Sequence, residues 1–183
     1  DELDRRHAEE LVAVAARIAS TVLGREPGPD SAELLRTAKG LIVNIGSVSG
    51  VTTTPFSGVY CASKAALHAI SDALRMELHP FGIQVMTVMP GAIASDFGNN
   101  ATAAITMADS SWFKPWEKAV QARAKASQNA RSTSAKDFAR ELLGYIGNPV
   151  RPENVLIGSG ARSMVRKHLG IEYAGESGVV RDF

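Results

Sequence analysis

The sequence predicts an α/β fold around a parallel sheet, in which only part of a doubly wound sheet is present. Two short runs of apolar and β-branched residues, 41–45 and 83–88, have the composition of strands buried on both faces. A helix of about twenty residues separates them, so the three elements form a right-handed βαβ unit. With 183 residues, the chain is long enough for one domain with a single core.

We expect a single, incomplete domain in three parts. Residues 1–39 form a helical lead-in, with one helix over 3–23 and a second that ends at Lys39; glycines and prolines separate them. Residues 40–160 hold the βαβ core and a substrate lid. Residues 161–183 begin with helical charge and continue into a poorly ordered, glycine-containing tail.

The long central helix has clear start and stop signals. Residues 46–55 are rich in Gly, Ser, Thr and Pro and predict a loop, after which Ser57 is expected to cap the helix. His79-Pro80-Phe81-Gly82 ends it, because proline disfavours a helical conformation in the preceding residue. Its small apolar residues are expected to form a close-packing face: Ala62, Ala65, Ala66, Ala69, Ile70, Ala73 and Leu74.

The second half of the chain is less regular. We expect a loop over 91–111, an amphipathic helix over 112–130, a helix over 135–147 capped by Ser134, and a last strand over 155–157. Core packing explains the aromatic residues at the start of the 112–130 helix: Trp112, Phe113 and Trp116.

Composition excludes several classes of function. The formal net charge is +1, from 20 Lys and Arg against 19 Asp and Glu, so clustered positive charge for nucleic acid is absent. Cys61 is the only cysteine and cannot form an internal disulfide. The four histidines never place two on one helical face, which argues against a metal site. The apolar stretch at 11–24 is too short to span a bilayer and contains Arg17.

Three residues form a candidate catalytic group. Tyr60 and Lys64 lie four residues apart on one face of the predicted helix. A free phenol ionises near pH ~10, whereas a nearby ammonium group and the positive end of a helix both favour its charged form. The pair therefore predicts a proton donor that works at neutral pH. Ser47 follows the carboxyl end of strand 41–45, where open α/β sheets bind ligands, and its hydroxyl would hold a substrate oxygen.

A bare Tyr-x-x-x-Lys pair is a weak signal, because most such pairs are exposed helix neighbours. The wider pattern comprises three blocks: Asn44-Ile45-Gly46-Ser47-Val48-Ser49-Gly50, Tyr60-Cys61-Ala62-Ser63-Lys64-Ala65-Ala66 and Val88-Met89-Pro90-Gly91. In residues, spacing and context it resembles the short-chain dehydrogenase/reductase family, whose fold is of the Rossmann type. Residues 40–98 look most similar to fungal members related to 1-acyldihydroxyacetone-phosphate reductase.

The resemblance implies a role for each residue. Ser47 would position the substrate oxygen, Tyr60 would be the acid–base, and Lys64 would favour the ionised phenol and bind the nicotinamide ribose. The cofactor is expected to be NADP, with NAD left open, beside Tyr60, Lys64, Pro90, Gly91, Ile93 and Ser95. The substrate would be a small hydrophobic ketone or alcohol. The resemblance also implies a substrate lid at Trp112, Phe113 and Trp116, which core packing explains equally well. The alanine-rich helix resembles the surface that the family uses for homodimers, although burial in one core would look identical.

Two departures from the family pattern stand out. The family's Thr-Gly-x-x-x-Gly-x-Gly turn, which binds the cofactor pyrophosphate, occurs nowhere in the sequence. The family also uses an asparagine in the helix before the Ser47 strand, but Ser20, Thr21 and Leu23 stand there, and Asn44 is expected to be structural. We expect a truncated chain without the N-terminal nucleotide-binding βαβ units, whose strand 41–46 needs a neighbour to cover its edge.

Three functions stay open. The first is an NADP-dependent carbonyl reductase acting on a lipid-like ketone such as 1-acyldihydroxyacetone phosphate. This chain alone would be inactive if the reaction requires the N-terminal nucleotide-binding units. The second is a catalytically silent module that docks onto a partner protein. The third is a short-chain dehydrogenase for steroids or retinoids. By resemblance we expect a cytoplasmic protein, peripheral to the endoplasmic reticulum or lipid droplets.

Overall fold

A computed structural model describes residues 40–129 and 131–169. The predicted helices before residue 40 and the end of the tail lie outside these ranges. Within them the strands are β1 (Leu41–Ile45), β2 (Gln84–Pro90), β3 (Ile93–Ala94), β4 (Thr133–Ser134) and β5 (Asn154–Ile157). The helices are α1 (Gly58–Leu78), α2 (Phe97–Ala103), α3 (Glu117–Ala124), α4 (Ala135–Ile146) and α5 (Ala161–Leu169). Short 3-10 turns occupy Val48–Gly50, His79–Phe81 and Lys114–Trp116.

The main sheet of the described residues is parallel, in the order β1-β2-β5. Leu41 pairs with Gln84 at one end of the β1–β2 ladder, and Thr87 pairs with Asn154 where β5 begins. The central strand β2 is buried over residues 85–89, whereas β1 is only half-buried and Ile45 is exposed. A shorter parallel pair joins β3 to β4. The predicted α/β class with a parallel sheet is therefore confirmed.

Helices cover both faces of the sheet, as a parallel sheet requires. Alternate residues of β2 point to opposite sides. On one side Val85 packs with Leu74 and Leu78 of α1. On the other side Met86 and Val88 pack with the side chains of α4. A third group joins the 3-10 turn after β1 to α5: Val48, Met89, Leu156, Ala161 and Val165.

The apolar face predicted for α1 is only partly the buried one. The buried residues of the helix are Cys61, Leu67, Ser71, Leu74 and Leu78. Four of the alanines that we expected to pack are exposed instead: Ala62, Ala65, Ala66 and Ala69. The reason is that the larger side chains fill the space against the sheet, which leaves the alanine stripe facing outward. Ser57 occupies the N-cap position, but its side chain makes no capping hydrogen bond.

The second half differs from the prediction in several places. The expected loop over 91–111 contains β3 and α2, and the expected 112–130 helix is reduced to a 3-10 turn and α3. Beyond α3, Asn129 and Ser132 bond to nearby carbonyls and replace helical hydrogen bonds. Residues 161–169, expected to begin a poorly ordered tail, form α5, whose Ala161 and Val165 are buried.

Two other expectations for this half are confirmed, a helix cap and a strand. The Ser134 hydroxyl accepts a hydrogen bond from the Asp137 backbone at 3.1 Å and caps α4. The predicted last strand is present as β5. No helix among the residues described is long and apolar enough to cross a membrane.

Candidate active site

We selected seven residues from the sequence, and all seven line one cavity of about 550 Å³. The cavity lies where β1 and β2 reach their carboxyl ends. The seven residues are Ser47, Tyr60, Lys64, Pro90, Gly91, Ile93 and Ser95. Parallel strands end at the same edge of a sheet, which is why segments distant in sequence meet there. The geometry thus brings the predicted group together; the chemical role of each member remains a prediction.

Ser47 is held at the start of the 3-10 turn that follows β1. Its side chain is buried, and its hydroxyl oxygen accepts a hydrogen bond from the Ser49 backbone N–H at 3.1 Å. This capping contact fixes the oxygen while leaving the hydroxyl proton available for donation. Ser47 can therefore present an O–H donor to a ligand in the cavity.

His68 supports Ser47 and was not selected from the sequence. The Ser47 backbone N–H lies 3.3 Å from His68 Nε2, which accepts its hydrogen bond. The imidazole fills the space beside Gly46 and Gly50: a Cβ on either glycine would lie 2.3 or 2.4 Å from a ring atom. His68 follows Lys64 by one helical turn, and this i, i+4 spacing is the signal that could have found it.

Burial determines the protonation of His68. Desolvation lowers its pKa from the usual value near 6.5; Asp72 acts in the opposite direction, and Lys64 lowers the pKa further. A neutral ring is what the contact with Ser47 requires, because Nε2 can accept a hydrogen bond only while it carries no proton.

Tyr60 and Lys64 lie side by side on the first turns of α1. The Lys64 Nζ lies 6.0 Å from the centre of the Tyr60 ring and donates a hydrogen bond to the Ile45 carbonyl at 3.0 Å. Burial lowers the pKa of Lys64 from its ordinary value. The Tyr60 ring also packs against Phe97 of α2, with 5.6 Å between ring centres.

The segment after β2 forms a second wall of the cavity. The backbone of Gly91 bonds to Ile157 and that of Ala92 to Ser159, each at 2.9 Å. A Cβ on Gly91 would lie 2.3 Å from the Ser159 carbonyl oxygen, so only glycine fits this close approach. Ser95 is exposed, and its carbonyl accepts a hydrogen bond from Gln128 at 2.6 Å.

The aromatic residues predicted as lid or core are on the surface. Trp112 is 94% exposed, and Phe113 and Trp116 are each 59% exposed, which excludes core packing. Phe113 makes an edge-on contact with Phe56, whose segment follows the Ser47 turn. Exposed aromatic rings next to the catalytic loop fit a lid, which stays a prediction.

Arg123 lines the cavity and, like His68, was not selected from the sequence. Its Nε donates a hydrogen bond to the Thr54 hydroxyl at 2.9 Å, and both residues line the cavity. Nothing local in the sequence distinguishes this arginine from a solvated one on α3. Asn44 makes a structural contact, since its amide donates to the Ser71 hydroxyl at 2.9 Å. Over 40–129 and 131–169, no His, Cys, Asp and Glu side chains cluster in a way that could hold a metal ion.

The described residues thus combine a parallel sheet with helices on both faces, a Tyr-Lys pair on one helix and a serine at a strand end, the edge at which open α/β sheets bind ligands. Comparisons with known proteins point to a family. Residues 30–106 match the family model described as short chain dehydrogenase. This segment, less than half of the chain, is similar to the short-chain dehydrogenase family.

Three matches illustrate the relationship. A short-chain dehydrogenase of Penicillium crustosum is 42% identical over 116 residues, which cover 63% of this chain and 41% of the relative. The NADPH-dependent 1-acyldihydroxyacetone phosphate reductase of Saccharomyces cerevisiae is 31% identical over 132 residues, which cover 72% of this chain and 44% of the relative. The crystal structure of a short-chain dehydrogenase from Streptomyces avermitilis matches the fold with a TM-score of 0.57, at 22% identity over 74% of this chain and 49% of that one. The chain thus spans less than half the length of each of these relatives.

Proposed function

We propose that this chain forms the catalytic part of an NADP-dependent carbonyl reductase of the short-chain type, which also runs in the alcohol dehydrogenase direction. The observation that carries the proposal is the meeting of Ser47, Tyr60 and Lys64 at one cavity. The similarity of residues 30–106 to the short-chain dehydrogenase family and the similarity of the chain to a yeast reductase described as NADPH-dependent support it.

Proton transfer would be the task of Tyr60. A carbonyl oxygen held by the Ser47 hydroxyl would receive the phenolic proton as it becomes an alkoxide. The Lys64 Nζ lies 6.0 Å from the centre of the Tyr60 ring. In the reverse direction Tyr60, having lost its proton, would accept the proton of an alcohol. Ser47 and Tyr60 would thus fix the position of the reacting oxygen.

The residues present fit the nicotinamide end of a dinucleotide. A lysine ammonium has three N–H donors, of which one bonds to Ile45, so two remain for ribose hydroxyls. Pro90, Gly91 and Ile93 line the cavity, and the backbone of Gly91 approaches Ser159 closely; the nicotinamide ring would lie beside this segment. The Ser95 hydroxyl is exposed at the same wall. A bound NADPH would supply the hydride.

A lipid-like ketone is the substrate class that we favour. Apart from the polar groups already described, the cavity is lined by apolar side chains, among them Phe97, Phe138 and Met164. Exposed aromatic rings beside it suit an acyl chain. 1-Acyldihydroxyacetone phosphate, the substrate in the name of the yeast relative, combines such a chain with a ketone. A cytoplasmic location at the endoplasmic reticulum or lipid droplets belongs to this proposal, and cell fractionation would test it.

The test is NADPH oxidation by the full-length protein in the presence of an acyl-ketone phosphate. We expect turnover in the wild-type protein, and Tyr60→Phe is expected to lower kcat by at least about 100-fold because it removes the proton donor. Tyr145→Phe is the matched control, since Tyr145 packs beside the core and does not line the cavity. Wild-type rates in Tyr60→Phe would contradict the assignment. Faster turnover of steroid or retinoid ketones would favour the third function instead.

A partner-docking module without activity is the second candidate. The outward alanine stripe of α1 favours it, together with two apolar side chains on the same helix: Val59, 88% exposed, and Met76, 73% exposed. The same surface would serve a homodimer. Tryptophan fluorescence would separate the candidates, because tight NADPH binding by this chain contradicts a silent module. Sedimentation of the wild type and Ala66→Glu would test the dimer.

A further inference from the structure

The charges at the cavity are all of one sign. Its lining includes two cationic side chains, Lys64 and Arg123, and no Asp or Glu. Lys64 is engaged with Ile45 and lies next to Tyr60. Arg123 belongs to a different element, α3, and reaches the loop after Ser47 through Thr54. The cavity therefore has one cation beside the proposed catalytic group and a second on the α3 side.

Arg123 differs from the ion-paired arginines of the chain. Arg75 pairs with Asp72 at 2.6 Å, and Arg140 pairs with Asp137 at 2.6 Å. The Arg123 side chain has one hydrogen bond, from Nε to Thr54, and within 40–129 and 131–169 no carboxylate pairs with it. Its two terminal nitrogens, which carry four N–H donors, are consequently available to a ligand.

A half-buried guanidinium without a counter-ion is a recognition group for anions. Its planar fork matches the paired oxygens of a phosphate or a carboxylate, and the contact with Thr54 holds the fork in place. We propose that the substrate carries an anionic group, a phosphate monoester or a carboxylate, and that Arg123 binds it. This inference rests on the proposed carbonyl reductase function and specifies its substrate class.

Binding can be tested without turnover. Dihydroxyacetone phosphate and uncharged dihydroxyacetone are titrated into the full chain while the side-chain Nε–H resonances of the arginines are followed. The phosphate ester is expected to shift the Arg123 signal and leave that of Arg75 unchanged, and the uncharged ketone is expected to shift neither. Inorganic phosphate and acetate, titrated separately, identify which anion the site prefers. An Arg123 signal that responds to no anion would overturn the inference.

Kinetics supply the second arm. Arg123→Met is expected to lower kcat/KM for dihydroxyacetone phosphate by about 10- to 100-fold, which is the effect of losing hydrogen bonds to a charged group. The kcat/KM for dihydroxyacetone should stay within about twofold of the wild-type value. Arg123→Lys, which keeps the charge without the fork, should fall between. Arg140→Met is the control, because Arg140 is exposed and does not line the cavity.

The two arms separate the possible failures. Turnover of both ketones with equal loss in Arg123→Met would refute anion recognition while the reductase function stands. An Arg123 signal that NADP⁺ alone shifts as strongly as the phosphate ester would assign the arginine to the cofactor and also refute the inference. Anion-dependent shifts without turnover of either ketone would support Arg123 and refute the reductase.

Discussion

The contact between the Ser47 turn and His68 can be tested by enlarging Gly46. In Gly46→Ala the new Cβ would lie 2.3 Å from His68 Nε2, about 1 Å inside the 3.4 Å at which ordinary contact begins. The ring must move away, and its hydrogen bond to the buried Ser47 N–H is lost. Overpacking costs about 1–3 kcal/mol and an unpaired buried N–H costs a similar amount. We therefore expect the free energy of unfolding to fall by about 2–5 kcal/mol.

A double-mutant cycle assigns this loss to the histidine. His68→Ala removes the ring and is expected to cost about 1–3 kcal/mol by itself, but it leaves space for the alanine at 46. The double variant should therefore be more stable than the sum of the single changes predicts, by about 1–3 kcal/mol. Urea unfolding of the four proteins measures the free energies, with comparable m-values as the condition for comparison. Additivity within about 0.5 kcal/mol would show that the two sites do not interact and would refute the packing described for His68.

Two further predictions concern stability. Burial holds the pKa of His68 in the folded chain below 6.5, so the unfolded chain binds more protons than the folded chain just below that pH. The free energy of unfolding is therefore at its full value above about pH 6.5 and falls as the pH drops through the folded-state pKa. His68→Gln keeps a hydrogen-bond acceptor but cannot titrate, so its urea midpoints between about pH 8 and 5 should depend less on pH than those of the wild type. Equal pH dependence in the two proteins would show that His68 is not the group responsible. Gly91→Ala should destabilise the chain by about 3 kcal/mol or more, because the new Cβ meets the Ser159 and Ala161 backbone, which cannot move aside as a flexible side chain can. Gly144→Ala, in an open position within α4, is the matched control and should stabilise by about 0.5–1 kcal/mol; equal thermal midpoints for the two variants would refute the explanation.

Elements with strong local signals could be predicted from the sequence. Strand β1 has the bounds of its apolar run because Gly40 and Gly46 flank it, and α1 ends where Pro80 and Gly82 follow. Ser134 caps α4 because its hydroxyl needs only a backbone N–H three residues away. These features depend on neighbours along the chain, which the sequence displays directly.

Features that depend on distant contacts could not be predicted in this way. The two-residue strands β3 and β4 are defined only by each other, and neither has a pattern of its own. The alanine stripe of α1 is apolar in composition, but the sheet is covered by the larger side chains on the opposite face. Arg123 is identified as a candidate ligand-binding residue only from its position in the fold, because it bonds to Thr54 and lines the cavity.

The candidate site owes its geometry largely to one stripe of α1. Three side chains at successive turns of this helix reach the end of β1 and the turn after it: Lys64 bonds to the Ile45 carbonyl, His68 to the Ser47 N–H, and Ser71 to the Asn44 amide. Tyr60 begins the same stripe. Because the helix spacing sets the position of each contact, α1 and the end of β1 contribute to the relative position of Tyr60 and Ser47, together with the Phe97 ring and the Ser49 N–H. A change at any of these contacts should therefore alter the relative position of the proton donor and the serine hydroxyl before it alters the rest of the sheet.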